Sequence, residues 1–98
     1  MSIAGVERAG LALVMAEVER AGEKFGPQTE FTDAEWLAVL TEEVGEAAEV
    51  LNDRRLAKVP GFMAETLLTD ELIQVAAVAI RWLAALGRRD PESVGGPR

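Results

Sequence analysis

Four glutamates fall within eight residues of one segment, LTEEVGEAAEVL (residues 40–51), and the segment contains neither lysine nor arginine. On a helix of 3.6 residues per turn, Glu43 and Glu46 share the flank of an apolar face, whereas Glu42 and Glu49 point toward the polar side. Carboxylates three positions apart on a helix lie about 5–6 Å apart, and partial burial strengthens their repulsion. Either the segment is a solvated acidic face, or a cation belongs beside the inner pair, Glu43 and Glu46.

A second segment, ELIQVAAVAIRWLAAL (71–86), carries only three polar side chains. Glu71, Gln74 and Arg81 share a sector about 80° wide on the helical wheel. Polar groups on one stripe of a buried helix need partners there. We expect this stripe to face the inner pair through a bound Mg²⁺, because hard cations prefer oxygen ligands and bundles build metal sites from inward carboxylates.

The pattern of apolar residues predicts an all-α bundle of three main helices and no strands. The first helix is expected over about 6–24. The second begins at the N-cap Thr32, with Glu35 completing a capping box, and runs to about Leu51. The third is expected over about 62–86. The main apolar face of the second helix is predicted to comprise Leu37, Leu40, Val44, Ala48 and Leu51.

The chain of 98 residues is long enough for one small domain, predicted over 1–87, with a flexible tail over 88–98. Because the third helix is apolar on nearly every face, two other helices cannot cover it. We therefore expect a homo-oligomer, a dimer or a tetramer, in which helices from two chains build a four-helix core.

Composition excludes several kinds of protein. The chain has no cysteine and no histidine, which excludes disulfides, His-based triads and the usual zinc sites. A net charge of -7 argues against nucleic-acid binding. The most apolar segment is too short and too interrupted to span a membrane. With no signal-peptide pattern, the expected location is cytoplasmic.

The motifs EEVGE (42–46) and ELIQ (71–74) together resemble those of the MazG-like all-α nucleoside triphosphate pyrophosphohydrolases, whose pattern is EExxE followed by ExxD. The similarity covers roughly residues 20–86. It implies a bundle completed by dimerisation that hydrolyses a (deoxy)nucleoside triphosphate to the monophosphate and pyrophosphate. The cofactor implied is Mg²⁺, with Mn²⁺ as an alternative.

By position, the resemblance implies Glu43, Glu46 and Glu71 as metal ligands, with Gln74 in place of the family's aspartate. An amide oxygen coordinates Mg²⁺ without adding charge, so we expect weaker or fewer cations. Asp70, one turn before Gln74, is expected to restore part of that charge.

The expected reaction is attack by a metal-activated water on the substrate, because a bound metal lowers the pKa of its water and neutralises phosphate charge. Glu42 and Glu46 are the candidates for accepting the water's proton, and the sequence does not choose between them. The resemblance implies that the attack occurs at the α-phosphorus.

Positive and aromatic residues could complete a substrate site. Arg54, Arg55 and Lys58 follow the glutamate helix and either bind phosphate or form a solvated loop. Arg81 either contacts phosphate or pairs with a carboxylate of a neighbouring subunit. Trp36 either offers a face to a base or belongs to the core.

Two other functions remain open at this stage. Gln74 is compatible with a catalytically weakened relative that binds nucleotide or metal without efficient turnover. A solvated acidic stripe would instead indicate a helical interaction module without enzymatic activity.

Overall fold

The structure is a computed structural model that describes residues 4–89 of the chain. Over that range it is all-helical, as predicted, with α1 at Gly5–Phe25, α2 at Asp33–Arg55 and α3 at Gly61–Arg89. Both α1 and α2 pack against α3, which is therefore the central helix. None of these helices is long and apolar enough to cross a membrane.

The start of α2 follows the predicted capping box. The Thr32 hydroxyl accepts a hydrogen bond from the Glu35 backbone N–H at 3.1 Å, and the Glu35 carboxylate accepts one from the Thr32 N–H at 3.1 Å. Phe31, which precedes the cap, packs edge-on against Trp36, with ring centroids 5.2 Å apart. These contacts satisfy two otherwise free N–H donors and fix the direction in which the chain enters α2.

Two helices extend further than expected. α2 continues past Leu51 to Arg55, and α3 passes through Gly87 to Arg89 instead of ending before the glycine. The last turn of α3 is held to the start of α2, because Arg89 donates to the Asp33 carboxylate at 2.6 Å and Trp82 Nε1 donates to the same oxygen at 2.9 Å. The first two residues of the predicted tail are thus helical, and residues 90–98 lie outside the described range.

The core is small and lies between α2 and α3. Trp36, Val78 and Ala85 form its buried centre. Four residues of α3 are buried, and three of them are alanines: Ala64, Ala77, Val78 and Ala85. Partly buried apolar residues complete the cluster, namely Phe31, Val39, Leu40 and Trp82.

Most of the predicted apolar face of α2 does not point into this core, although Leu40 packs there. The expectation is wrong for three of its leucine and valine residues, which are about half exposed in the single chain: Leu37, Val44 and Leu51. The reason is that Trp36, the largest apolar side chain of α2, is buried against α3 and sets the rotation of the helix. Val39, on the Trp36 side of the helix, also packs there.

Several large apolar side chains of α2 and α3 therefore remain uncovered within the described residues. We refer to Leu37, Val44, Leu51, Leu72 and Leu83 as the exposed leucine-valine rows. The single chain does not contain a four-helix core, so completion of the bundle by a second chain stays a prediction.

Candidate functional site

Three carboxylates from two helices lie together. Glu43 and Glu46 extend from α2 and Glu71 from α3, and one carboxylate oxygen of each lies within 4.8 Å of the others. All three side chains are half-buried. The rotation that places Trp36 in the core also turns this side of α2 toward α3, so the packing of the two helices brings the three residues together as the sequence predicts.

The cluster is electrostatically unfavourable without a cation. Burial, together with the neighbouring carboxylates of Glu46 and Glu71, raises the pKa of the Glu43 carboxyl to about 7. The pKa of Glu46 is also raised, first by its close contact with the Glu71 carboxyl and then by that group's charge. One oxygen each of Glu43 and Glu71 is buried without a hydrogen-bond partner among the described residues. The cluster therefore carries the cost of both like-charge repulsion and unsatisfied oxygens.

The donor set fits a hard divalent cation. All three groups offer oxygen, which suits Mg²⁺ or Mn²⁺ better than zinc or copper. A cation there would remove the repulsion between Glu43, Glu46 and Glu71 and satisfy the two orphaned oxygens. The glutamates are thus chemically suited to hold a metal ion.

Gln74 lies next to a carboxylate that the sequence analysis did not select. Arg20, followed by the Gln74 amide, lowers the pKa of Glu17 on α1. The Glu17 side chain is only 13% exposed and pairs with Arg20 at 2.5 Å. Asp70, which was expected to replace the missing charge, is exposed and outside the group of three glutamates. The carboxylate beside Gln74 is therefore that of Glu17, and Arg20 already balances its charge.

The helical wheel could have identified Glu17. At 100° per residue, Glu17 lies about 40° from Ala21 and about 60° from Val14, and Ala21 is buried in α1, which packs against α3. Glu17 is therefore a polar residue on the apolar face of α1. The pattern was missed because the residue was grouped with the surrounding charged positions of the same helix.

A cleft of about 290 Å³ is lined by one of the three glutamates, Glu43. Glu42, Glu43 and Gln74 line it near the cluster, and Phe25, Trp36 and Arg81 line it elsewhere. Because Glu43 belongs both to the cluster and to the cleft wall, a molecule in the cleft could reach the carboxylates.

Arg81 is a half-buried cation within this cleft. Its Nη2 donates to the side-chain oxygen of Gln28 and, at 3.5 Å, to the carbonyl of Gly26. The guanidinium carbon lies 5.7 Å from the ring centroid of Phe25 and 5.6 Å from that of Trp36, within cation–π range. Burial lowers the pKa of Arg81. The residue is thus fixed in orientation by one loop side chain and two rings.

The other predicted residues are placed differently. Glu42 is exposed at the rim of the cleft, outside the group of three. Arg54, Arg55 and Lys58 are exposed, and Arg54 lies about 12 Å along the helix axis from Glu46. The structure does not bring these three basic residues to the glutamates.

Trp36 is buried, whereas Gly45 on α2 has open space beside it. Trp36 is 1% exposed and belongs to the core, although it also lines the cleft. Gly45 has nothing within 4 Å of the position that a Cβ atom would occupy, so the chain alone gives it no close helix contact. The glycine therefore leaves open space on α2 beside Glu46.

Comparison of the chain with protein-family models, with curated proteins and with solved structures gives no significant match in any of the three.

Proposed function

We propose that the protein is a Mg²⁺-dependent pyrophosphohydrolase that converts a (deoxy)nucleoside triphosphate to the monophosphate and pyrophosphate. The observation that carries the proposal is the meeting of three carboxylates from two helices, one of which, Glu43, also lines a cleft that holds an arginine and aromatic rings. The resemblance of EEVGE and ELIQ to the MazG-like motifs supports the choice of reaction.

Glu43, Glu46 and Glu71 would hold the ion, and the Gln74 amide oxygen would assist them. When bound, Mg²⁺ or Mn²⁺ supplies activation of water and neutralisation of phosphate charge. The oxygen of water forms a bond to the α-phosphorus, the bond to the bridging oxygen breaks, and pyrophosphate leaves. Glu46 or Glu42 accepts the proton from that water.

Gln74 supports a second candidate, a protein that binds nucleotide or metal with little turnover. A specific observation favours it, because Gln74 contacts the carboxylate of Glu17, which is already paired with Arg20. Such a pair adds no net charge to the site. The cation would then be held by three carboxylates and bound more weakly.

We further propose that the active form is a dimer or a larger homo-oligomer. The exposed leucine-valine rows support this, since apolar surface that a single chain leaves uncovered is often an interface. An interaction module without enzymatic activity would use the same surface. Sedimentation at micromolar concentration is expected to show no monomer; a monomer that persists there would refute the oligomer.

The test is pyrophosphate release from a panel of nucleoside triphosphates with Mg²⁺ or Mn²⁺. Wild-type protein is expected to release pyrophosphate, and Glu71→Gln is expected to lose the activity. Glu49→Gln is the matched control, because Glu49 is exposed on α2 and lies outside the cluster. Metal binding in calorimetry without pyrophosphate release would favour the second candidate. Absence of both metal binding and release would leave the interaction module.

A further inference from the structure

We infer that the cleft beyond the glutamates is a nucleobase site in which Arg81 selects guanine over adenine. This rests on the proposed function only in taking the ligand to be a nucleotide. The observations behind it are the position of Arg81 relative to the carboxylates, the rings around it, and the donors on its guanidinium.

The positions fit a nucleotide lying along the cleft. Glu71 and Arg81 share one helix and are separated by about 15 Å along its axis. Glu43 and Gln74 line the cleft toward the carboxylates, and Arg81 lines it further along α3. With its phosphates near the glutamates, an extended nucleotide has its base near Arg81.

The surroundings of Arg81 suit a flat ring. Phe25 is 52% exposed although it is a large apolar residue, so much of its ring is uncovered in the chain. Trp36 is buried in the core and supports the guanidinium of Arg81 from behind, so Phe25 and the guanidinium are the surfaces that a base can reach. Aromatic faces and guanidinium planes are the surfaces on which proteins stack bases.

The chemistry of the guanidinium decides which base is preferred. Arginine only donates hydrogen bonds, and Gln28 holds one edge of Arg81 in place. Guanine presents two adjacent acceptors, O6 and N7, whereas adenine presents N7 beside an amino group that also donates. Arg81 would therefore pair with guanine and meet a second donor on adenine.

The experiment measures binding of GMP and AMP without hydrolysis, by quenching of tryptophan fluorescence in the full chain. Charge-assisted hydrogen bonds of this kind predict that GMP binds about tenfold or more tightly than AMP. Arg81→Lys keeps the charge but loses the planar fork, so it should remove the preference and leave AMP binding nearly unchanged. Arg8→Lys, at an exposed position on α1, is the matched control and should retain the preference.

Three results would overturn the inference: equal affinities for GMP and AMP in the wild type, loss of both affinities by the same factor in Arg81→Lys, or no binding of either nucleotide. The second result would assign Arg81 to phosphate. If Arg81→Lys fails to fold by circular dichroism, Gln28→Ala replaces it and should also weaken the preference. A guanine preference without pyrophosphate release would refute the proposed hydrolase alone, and pyrophosphate release without the preference would refute this inference alone.

Discussion

Replacing Glu43 with glutamine removes one charge from the cluster and keeps the shape of the side chain. The pKa of Glu43 is about 7 in the fold, against an ordinary value of 4.5. The folded state therefore binds this proton more tightly than the unfolded chain does. The resulting stability is fully present below pH 4.5 and is lost as the pH rises through 7.

The size of the effect follows from the shift in pKa. One pKa unit corresponds to 1.36 kcal/mol, so the whole shift amounts to about 3 kcal/mol. Because the group is partly exposed and solvent screens its charge, we expect about 1–2 kcal/mol. In metal-free buffer at pH 8, Glu43→Gln should be more stable than the wild type by this amount. Near pH 4 the difference should disappear.

The measurement is urea unfolding with EDTA at pH 4, 5 and 8, at one fixed protein concentration, since oligomerisation changes apparent stability. Glu49→Gln controls for the loss of a glutamate charge elsewhere on α2. Wild-type stability that does not fall between pH 5 and 8, or a Glu43→Gln variant that is less stable at pH 8, would refute the reasoning. Added Mg²⁺ should stabilise the wild type and have little effect on Glu43→Gln.

Three further substitutions test separate parts of the structure. Thr32→Ala removes the cap of α2 and should lower the unfolding free energy by about 1 kcal/mol in urea titration; no change would mean that the capping box contributes little. Gly45→Ala places a methyl group in open space in the middle of a helix and should raise the unfolding free energy by up to about 1 kcal/mol. A lower unfolding free energy would indicate that Gly45 contacts a second chain. Gln74→Asp adds a carboxylate and should tighten Mg²⁺ binding in calorimetry. It should also lower the unfolding free energy without metal, because the new charge lies near that of Glu17. Unchanged Mg²⁺ affinity would mean that Gln74 is not a metal ligand.

The parts of the fold predicted correctly depend on short sequence separations. The capping box of Thr32 and Glu35 involves residues three positions apart, so the sequence contains all the groups that form it. The convergence of Glu43, Glu46 and Glu71 was also predictable, because a polar stripe on an apolar helix must meet polar groups on its neighbour. In both cases the periodicity of the helix supplies the geometry.

The parts that were missed depend on long-range packing. The wheel of α2 has two adjacent apolar sides, one with Leu37 and Val44 and the other with Trp36. Only contact with Val78 on α3 shows which one faces the core of the chain. Likewise, Arg81 is oriented by Gln28, which lies 53 residues earlier, and no local pattern indicates that pairing. A helix that could bury either of two faces cannot be oriented from its own sequence.

Two unfavourable features of the described residues would be stabilised by different kinds of partner. The repulsion among Glu43, Glu46 and Glu71 is relieved by positive charge and not by apolar surface. The exposed leucine-valine rows are relieved by apolar contact and not by a cation. At the capping box, by contrast, the local sequence preference and the observed fold agree. Positions where the two disagree are often functional sites. Metal affinity and self-association should therefore respond to different substitutions. Glu71→Gln should weaken metal binding, and a charged residue at Leu83 should weaken self-association.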